Sequence, residues 1–94
     1  MYAIAFDLDQ ALLEANYHNS SYNNAYKDIR NFLEGEGFVH QQGSVYFGDP
    51  NKVDAVKCVM AVNRLSQKFT WFSASVSDIR MLRIEDTNDL RPAL

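Results

Sequence analysis

Residues 2–8, Tyr-Ala-Ile-Ala-Phe-Asp-Leu, alternate with period two, which predicts a strand. Tyr2, Ile4, Phe6 and Leu8 share one face; Ala3, Ala5 and Asp7 share the other. The stretch from 9 to 21 is polar around Asn16-Tyr17-His18-Asn19-Ser20-Ser21 and reads as a loop, with Ser20 or Ser21 placed to cap a helix. Tyr22, Ala25, Tyr26, Ile29, Phe32 and Leu33 then recur at helical spacing, and Gly35 and Gly37 close that helix. Phe38–Gln41 and Ser44–Phe47 read as two short strands about Gln42-Gly43, where glycine permits a tight turn. Gly48-Asp49-Pro50-Asn51 ends the second of them. Asp49 or Asn51 can cap a second helix whose apolar positions include Val53, Val56, Val59, Met60 and Leu65. After the aromatic cluster Phe69, Trp71 and Phe72, a last strand is predicted over Val76–Ile84, followed by a polar tail.

The order is β-α-β-β-α-β, the ferredoxin-like split βαβ arrangement: an α+β fold with a four-stranded antiparallel sheet and two helices on one face. In this fold strands one and three are central neighbours, so Asp7 is expected near Ser44–Tyr46. The other sheet face is left to a partner or ligand. At 94 residues the chain is expected to form a single domain, 1–94. A domain of this size has a small core, to which a dimer interface would add.

Composition narrows the function. Hydrophobic residues make up 47%, too many for a disordered chain, and the one cysteine, Cys58, excludes an intrachain disulfide. No basic start with an unbroken apolar run precedes Asp7 and Asp9, so neither an export signal nor a membrane span is expected, and the chain reads as cytoplasmic. Net charge is −3, divided as −4 over residues 1–47 and +1 over residues 48–94. That is not the basic face of a tight nucleic-acid binder; contact with RNA would rest on a few local arginines.

Asp7 is the first candidate for chemistry. A carboxylate at the exit of a buried strand is held rigidly beside a loop and can serve as general base, nucleophile or Mg²⁺ ligand. A turn cap or a salt bridge to Arg80 or Arg83 accounts for it equally well. Phe6-Asp7-Leu8-Asp9 resembles the first motif of haloacid-dehalogenase-type phosphatases, but Gln10-Ala11 follows where those enzymes carry Gly-Thr, and 94 residues leave no room for their parallel domain. A second constellation is Gln42-Gly43-Ser44-Val45-Tyr46, whose hydroxyls can orient phosphate oxygens or a 2′-OH. The third is Ser75-Val76-Ser77-Asp78-Ile79-Arg80, in which Arg80 suits phosphate and Asp78 can support the site. An exposed Asp–Arg pair is more often a solvated ion pair. His18 and His40 lack partners at zinc-site spacing, Cys58 reads as a buried structural thiol, and Phe69, Trp71 and Phe72 are more often core than a base-stacking platform.

Taken in order, the opening Met-Tyr-Ala-Ile-Ala-Phe-Asp-Leu, Ala25-Tyr26-x-Asp28-Ile29-Arg30, Gln42-Gly43-Ser44-Val45-Tyr46, Trp71, Ser75-Val76-x-Asp78-Ile79-Arg80 and Ile84-Glu85 resemble the virulence-associated protein D family of bacteria over nearly the whole chain. That family is similar in fold to the small nuclease subunits of CRISPR adaptation. The resemblance implies a homodimeric endoribonuclease, serving in some bacteria as the toxin of a toxin–antitoxin pair. It implies Asp7, Ser44 and Asp78 as catalytic residues. Gln42, Tyr46, Arg80 and Arg83 are the expected RNA-binding residues, and Asp7 is the expected ligand if Mg²⁺ takes part. Leu13 lies in a loop that helps shape the site, and Ser77 stands where family members often carry Arg. The expected partners are RNA, a second copy and an antitoxin protein. The alternatives are a non-catalytic, protein-binding component of such a pair and an Asp-x-Asp phosphatase.

Overall fold

The structure, a computed structural model, describes residues 1–18, 21 and 23–94. Four antiparallel strands form one sheet in the order β2-β3-β1-β4: β1 Tyr2–Leu8, β2 Phe38–Gln42, β3 Val45–Gly48 and β4 Val76–Arg83. This is the expected ferredoxin-like order, with β1 and β3 adjacent at its centre through Ala3↔Phe47, Ile4↔Tyr46 and Ala5↔Val45. β4 pairs with the other side of β1. The N-terminal amine donates to the Ile84 carbonyl at 3.0 Å and the Ile84 N–H to the Met1 carbonyl at 2.8 Å, so the pairing runs one step past the end of β4.

Two long helices cover one face of the sheet: α2, Asn23–Gly35, and α3, Ala55–Lys68. Ala25, Ile29 and Leu33 form the buried stripe of α2, and Cys58, Ala61 and Leu65 that of α3. They close over Ile4, Phe6, Phe38 and Tyr46 in a single core. Ser21 starts α2, its hydroxyl accepting from Asn23 N–H at 3.3 Å. Ser20, the other expected cap, and Tyr22 lie outside the described residues.

Three sequence expectations are corrected. The polar reading of 9–21 hid a short helix, α1, Gln10–Asn16, in which Gln-Ala-Leu-Leu-Glu-Ala are good helix formers. Asp9 caps it, accepting from Leu12 N–H at 2.9 Å, and Leu13 is fully buried, part of a helix and not of a loop. The aromatic cluster belongs to another short helix, α4, Thr70–Ser75, with Phe72 buried edge-on to Phe6 at 5.5 Å. The cap of α3 is Asp54, which accepts from Lys57 N–H at 2.8 Å; Asp49 instead accepts from Asn51 N–H in the preceding turn. α3 therefore turns Cys58, Ala61 and Leu65 to the sheet and leaves Val56, Val59 and Met60 exposed. Among the described residues, no helix is long and apolar enough to cross a membrane.

The face opposite the long helices carries Ala3, Ala5 and Asp7 of β1, flanked by Phe47 and Val45 on β3 and by Leu82, Arg80 and Asp78 on β4. Val39 pairs with Phe47 and extends the apolar row to the β2 edge. Val39 and Leu82 are exposed.

Candidate active site

Asp7 and Asp78 are directly opposed in the antiparallel β1–β4 pair, so both carboxyl groups leave the sheet on the face free of the long helices. The next pairing is Leu8↔Val76, which leaves Ser77 as an extra residue on β4. The Ser77 hydroxyl donates to the Asp7 carbonyl at 3.2 Å and ties this bulge to β1. Bulges re-aim side chains and recur beside active sites. Here one sits at the exit of the strand that carries Asp7.

Neither bland reading of Asp7 describes its position. The helix cap is Asp9. Arg80 is paired with Asp78, its Nε at 3.0 and 3.3 Å from the two carboxylate oxygens, and Arg83 is paired with Glu85 at 3.0 Å. The Asp7 carboxylate is exposed and has no side-chain bond among the described residues. The Arg80–Asp78 pair is itself exposed, and such pairs are worth at most about 1 kcal/mol, so Arg80 can turn to a bound phosphate at little cost.

Ser44 reaches the same place from the β2–β3 turn. Gly43 takes a φ of +49°, a left-handed conformation suited to glycine, and turns β2 back into β3. The Ser44 carbonyl accepts from Phe6 N–H at 3.1 Å, fixing Ser44 one residue from Asp7 along β1. A shallow pocket of about 230 Å³ is lined by Ala5, Asp7, Ser44, Asp78 and Arg80. Four of the sequence-derived candidates are thus brought together from β1, β4 and the β2–β3 turn.

Three are not. Tyr46 is buried on the helix face, stacked on Phe6 with ring centroids 6.1 Å apart, and burial pushes its phenol pKa up. Gln42 lies in a separate groove beside Phe47 and the C-terminal segment. Arg83 pairs with Tyr2 at the other end of β1, about 16 Å along β4 from Asp78 at ~3.3 Å per residue. Cys58 is buried, which raises its thiol pKa and suits the structural reading. Sequence reasoning missed His40: its Nε2 donates to the Gly43 carbonyl at 2.7 Å and so steadies the turn that presents Ser44. The pairing of β2 and β3 around a single glycine was the available signal.

Among the described residues, no group of three His, Cys, Asp or Glu side chains is arranged to hold a metal ion. The site offers two carboxylates, Asp7 and Asp78. Mg²⁺ is commonly held by one or two carboxylates together with substrate phosphate oxygens, so the donor set fits that ion as a partner of bound substrate.

Comparison with known proteins converges on one group. The family model described as CRISPR associated protein Cas2 matches residues 1–91. The chain is similar to "Endoribonuclease VapD 2" of Riemerella anatipestifer, 53% identical over 94 residues, covering 100% of this chain and 99% of the relative. It is 50% identical to "Endoribonuclease VapD homolog" of Helicobacter pylori, covering 100% of this chain and 96% of that one. It is 40% identical to "Endoribonuclease VapD" of Haemophilus influenzae over 95% of this chain and 92% of the relative.

Proposed function

Since the chain belongs to the CRISPR-associated Cas2 family and resembles endoribonucleases from end to end, we propose that it is an endoribonuclease and that Asp7 is its general base. The observation that carries this reading is the exposed, unpaired Asp7 carboxylate, set opposite Asp78 and within one pocket of Ser44 and Arg80. Asp7 accepts the proton of the attacking hydroxyl, from the ribose 2′-OH or from water, as that oxygen bonds to phosphorus and the bond to the leaving oxygen breaks. Arg80 turns from Asp78 to the phosphate and offsets the charge that builds on its oxygens. The Ser44 hydroxyl orients the phosphate. Asp78 holds Arg80 in readiness and, with Asp7, makes the pair of carboxylates suited to Mg²⁺. When bound there, Mg²⁺ would polarise the scissile phosphate.

RNA is the substrate, and a second copy completes the groove. The apolar row Val39, Phe47, Ala3 and Leu82 on the open face supports a homodimer in which the two sheets meet and the two Asp7 residues approach a common cleft. In the cell, this activity suits the toxin of a toxin–antitoxin pair held in check by a small antitoxin protein. The second reading is a protein-binding component without catalysis. Val59 and Met81, exposed at the rim of an apolar cavity of about 180 Å³ between α3 and β4, favour it.

The deciding experiment incubates purified protein with mixed-sequence RNA, with Mg²⁺ or with EDTA, and compares wild type with Asp7→Asn. Cleavage by wild type and its loss in the variant are expected. An Asp7→Asn variant as fast as wild type would remove the assigned base. No cleavage of any RNA, together with a co-purifying small protein, would establish the second reading.

A further inference from the structure

A second, larger groove of about 730 Å³ opens between α2 and the β2–β3 hairpin. Ser44, in the β2–β3 turn, lines both this groove on the helix side of the sheet and the acidic pocket on the open side, so a strand in the groove would round the turn to reach Asp7. Its volume is in the range of small-ligand clefts, whereas the 230 Å³ pocket at Asp7 falls below it. Its walls differ in chemistry as well. Lys27 and Arg30 stand one helical turn apart on α2, and Tyr26 and His40 present partly exposed rings on either side.

The two cations are available. Lys27 is exposed and has no ionic partner among the described residues. Arg30 uses only its Nε, at 2.7 Å from Glu34, which leaves both terminal nitrogens for a ligand. The rings are held in place: the Tyr26 hydroxyl accepts from Gln10 Nε2 at 3.2 Å, and His40 is fixed by its bond to the Gly43 carbonyl. Cations spaced along a groove between aromatic rings are the arrangement that holds a single-stranded polynucleotide, with charges on phosphate and rings on bases; here Arg30 would exchange Glu34, which also lines the groove, for phosphate.

We infer that this groove is a binding subsite for single-stranded RNA, taking the nucleotides next to the scissile one, with Lys27 and Arg30 on their phosphates and Tyr26 and His40 against a base. The inference rests on the endoribonuclease reading for its substrate class. It also explains how an acidic protein holds RNA: the cations that grip the strand lie across the β2–β3 turn from the carboxylate pocket and not in it.

Binding tests the subsite independently of cleavage. The probe is a fluorescein-labelled 12-nucleotide mixed-sequence RNA, 2′-O-methylated throughout, followed by anisotropy across a salt series. The variants are Lys27→Gln/Arg30→Gln, the charge-keeping Lys27→Arg/Arg30→Lys, and a control that removes equal charge elsewhere, Lys52→Gln/Lys57→Gln. The first should weaken binding roughly tenfold at low salt and make the slope of log affinity against log salt shallower by about 1.4, at ~0.7 per lost contact on a single strand. The charge-keeping variant should restore the slope, and the control should leave it unchanged. An unaltered slope in Lys27→Gln/Arg30→Gln, or an equal change in the control, would overturn the subsite. Unmodified RNA run in parallel reports cleavage; its survival with wild type would count against the endoribonuclease reading and not against the groove.

Discussion

Asp78 grips Arg80 through both carboxylate oxygens, while Asp7, its partner directly across the β1–β4 pair, is left without a side-chain bond. The two carboxylates are chemically alike but are assigned different work in the proposed reaction. Asp7 is free to take a proton, and Asp78 keeps a cation at hand. Asp7→Asn should therefore lower kcat/KM by at least about 100-fold, the low end of what a general base contributes. Asp78→Asn should lower it by only about tenfold, because Arg80 remains and only its positioning is lost. Neither change should move stability by more than about 0.5 kcal/mol, since both side chains are exposed. Steady-state cleavage kinetics with thermal melts of each variant check this, and equal losses for both would contradict the division of roles.

Glu36, in the turn after α2, is held by Arg64 of α3 through two bonds, Nε at 2.8 Å and the second guanidinium nitrogen at 2.6 Å. That bidentate contact lowers the Glu36 pKa below its ordinary value, mainly through the hydrogen bond. A carboxylate with a depressed folded-state pKa stabilises the fold fully above its unfolded pKa and loses that contribution as pH falls through the folded one. Wild type should thus be more stable than Glu36→Gln at pH 7. The gap should narrow once pH drops below the ordinary glutamate range and close as pH falls through the depressed folded-state pKa. Urea melts of the two proteins from pH 7 to pH 3 give the result, and a gap that widens on acidification would contradict it.

How far the sequence carried depended on the length of the signal. The period-two run 2–8 and the helical spacing from Ala25 to Leu33 are long enough to define β1 and α2, and the order of elements followed from them. Asp7 was legible as a neighbour of Ser44 because the topology places β1 beside β3, whereas Asp78 was joined to them only through the family resemblance and Arg80 only as a phosphate-suited side chain. Short helices were not legible: α1 and α4 have seven and six residues, less than two turns, too short for a period to show, and they are held by the Asp9 cap and Leu13 in α1 and by Phe72 and Ser75 in α4. The apolar positions of α3 did not by themselves give its buried face: Cys58, read as buried, and small Ala61 fit against the sheet, while Val56, Val59 and Met60 are exposed. Tyr46 was misplaced for a simpler reason. Its pairing with Ile4 puts it on the helix face, and no motif in a single strand reveals which side of a sheet will be covered.

Gly48 ends β3 where the chain turns toward α3. A Cβ there would lie 2.9 Å from Val53 Cβ and Cγ1 and 3.0 Å from the Tyr2 carbonyl oxygen. Val53 is buried and the Tyr2 carbonyl belongs to the central strand, so neither moves easily. Gly48→Ala should destabilise the protein by roughly 1–3 kcal/mol, the usual cost of overpacking. In a domain of this size that lowers Tm by about 4–8 °C per kcal/mol. Gly35→Ala is the control: nothing lies within 4 Å of its Cβ position at the end of α2, and its Tm should stay level or rise. Differential scanning calorimetry of the pair decides whether β3 and the Val53 turn are packed as described.

Asp9 separates the nuclease from an Asp-x-Asp phosphatase. A phosphatase of that kind needs the second acid to exchange protons with the substrate, whereas here the Asp9 side chain accepts from Leu12 N–H and starts α1. Asparagine and serine keep that acceptor; alanine does not. Asp9→Asn and Asp9→Ser should therefore retain both stability and RNA cleavage within a few-fold. Asp9→Ala should lose about 1 kcal/mol of stability, by the usual worth of an N-cap, and should recover cleavage when assayed well below its Tm. The pattern depends on Asp9 acting through the helix it caps. α1 packs against α4, which leads into the bulge behind Asp78, so a frayed first turn would loosen the site without removing a reacting group. If Asp9→Asn abolished cleavage while melting like wild type, Asp9 would belong to the chemistry, and the division of labour between Asp7 and its neighbour would have to be redrawn.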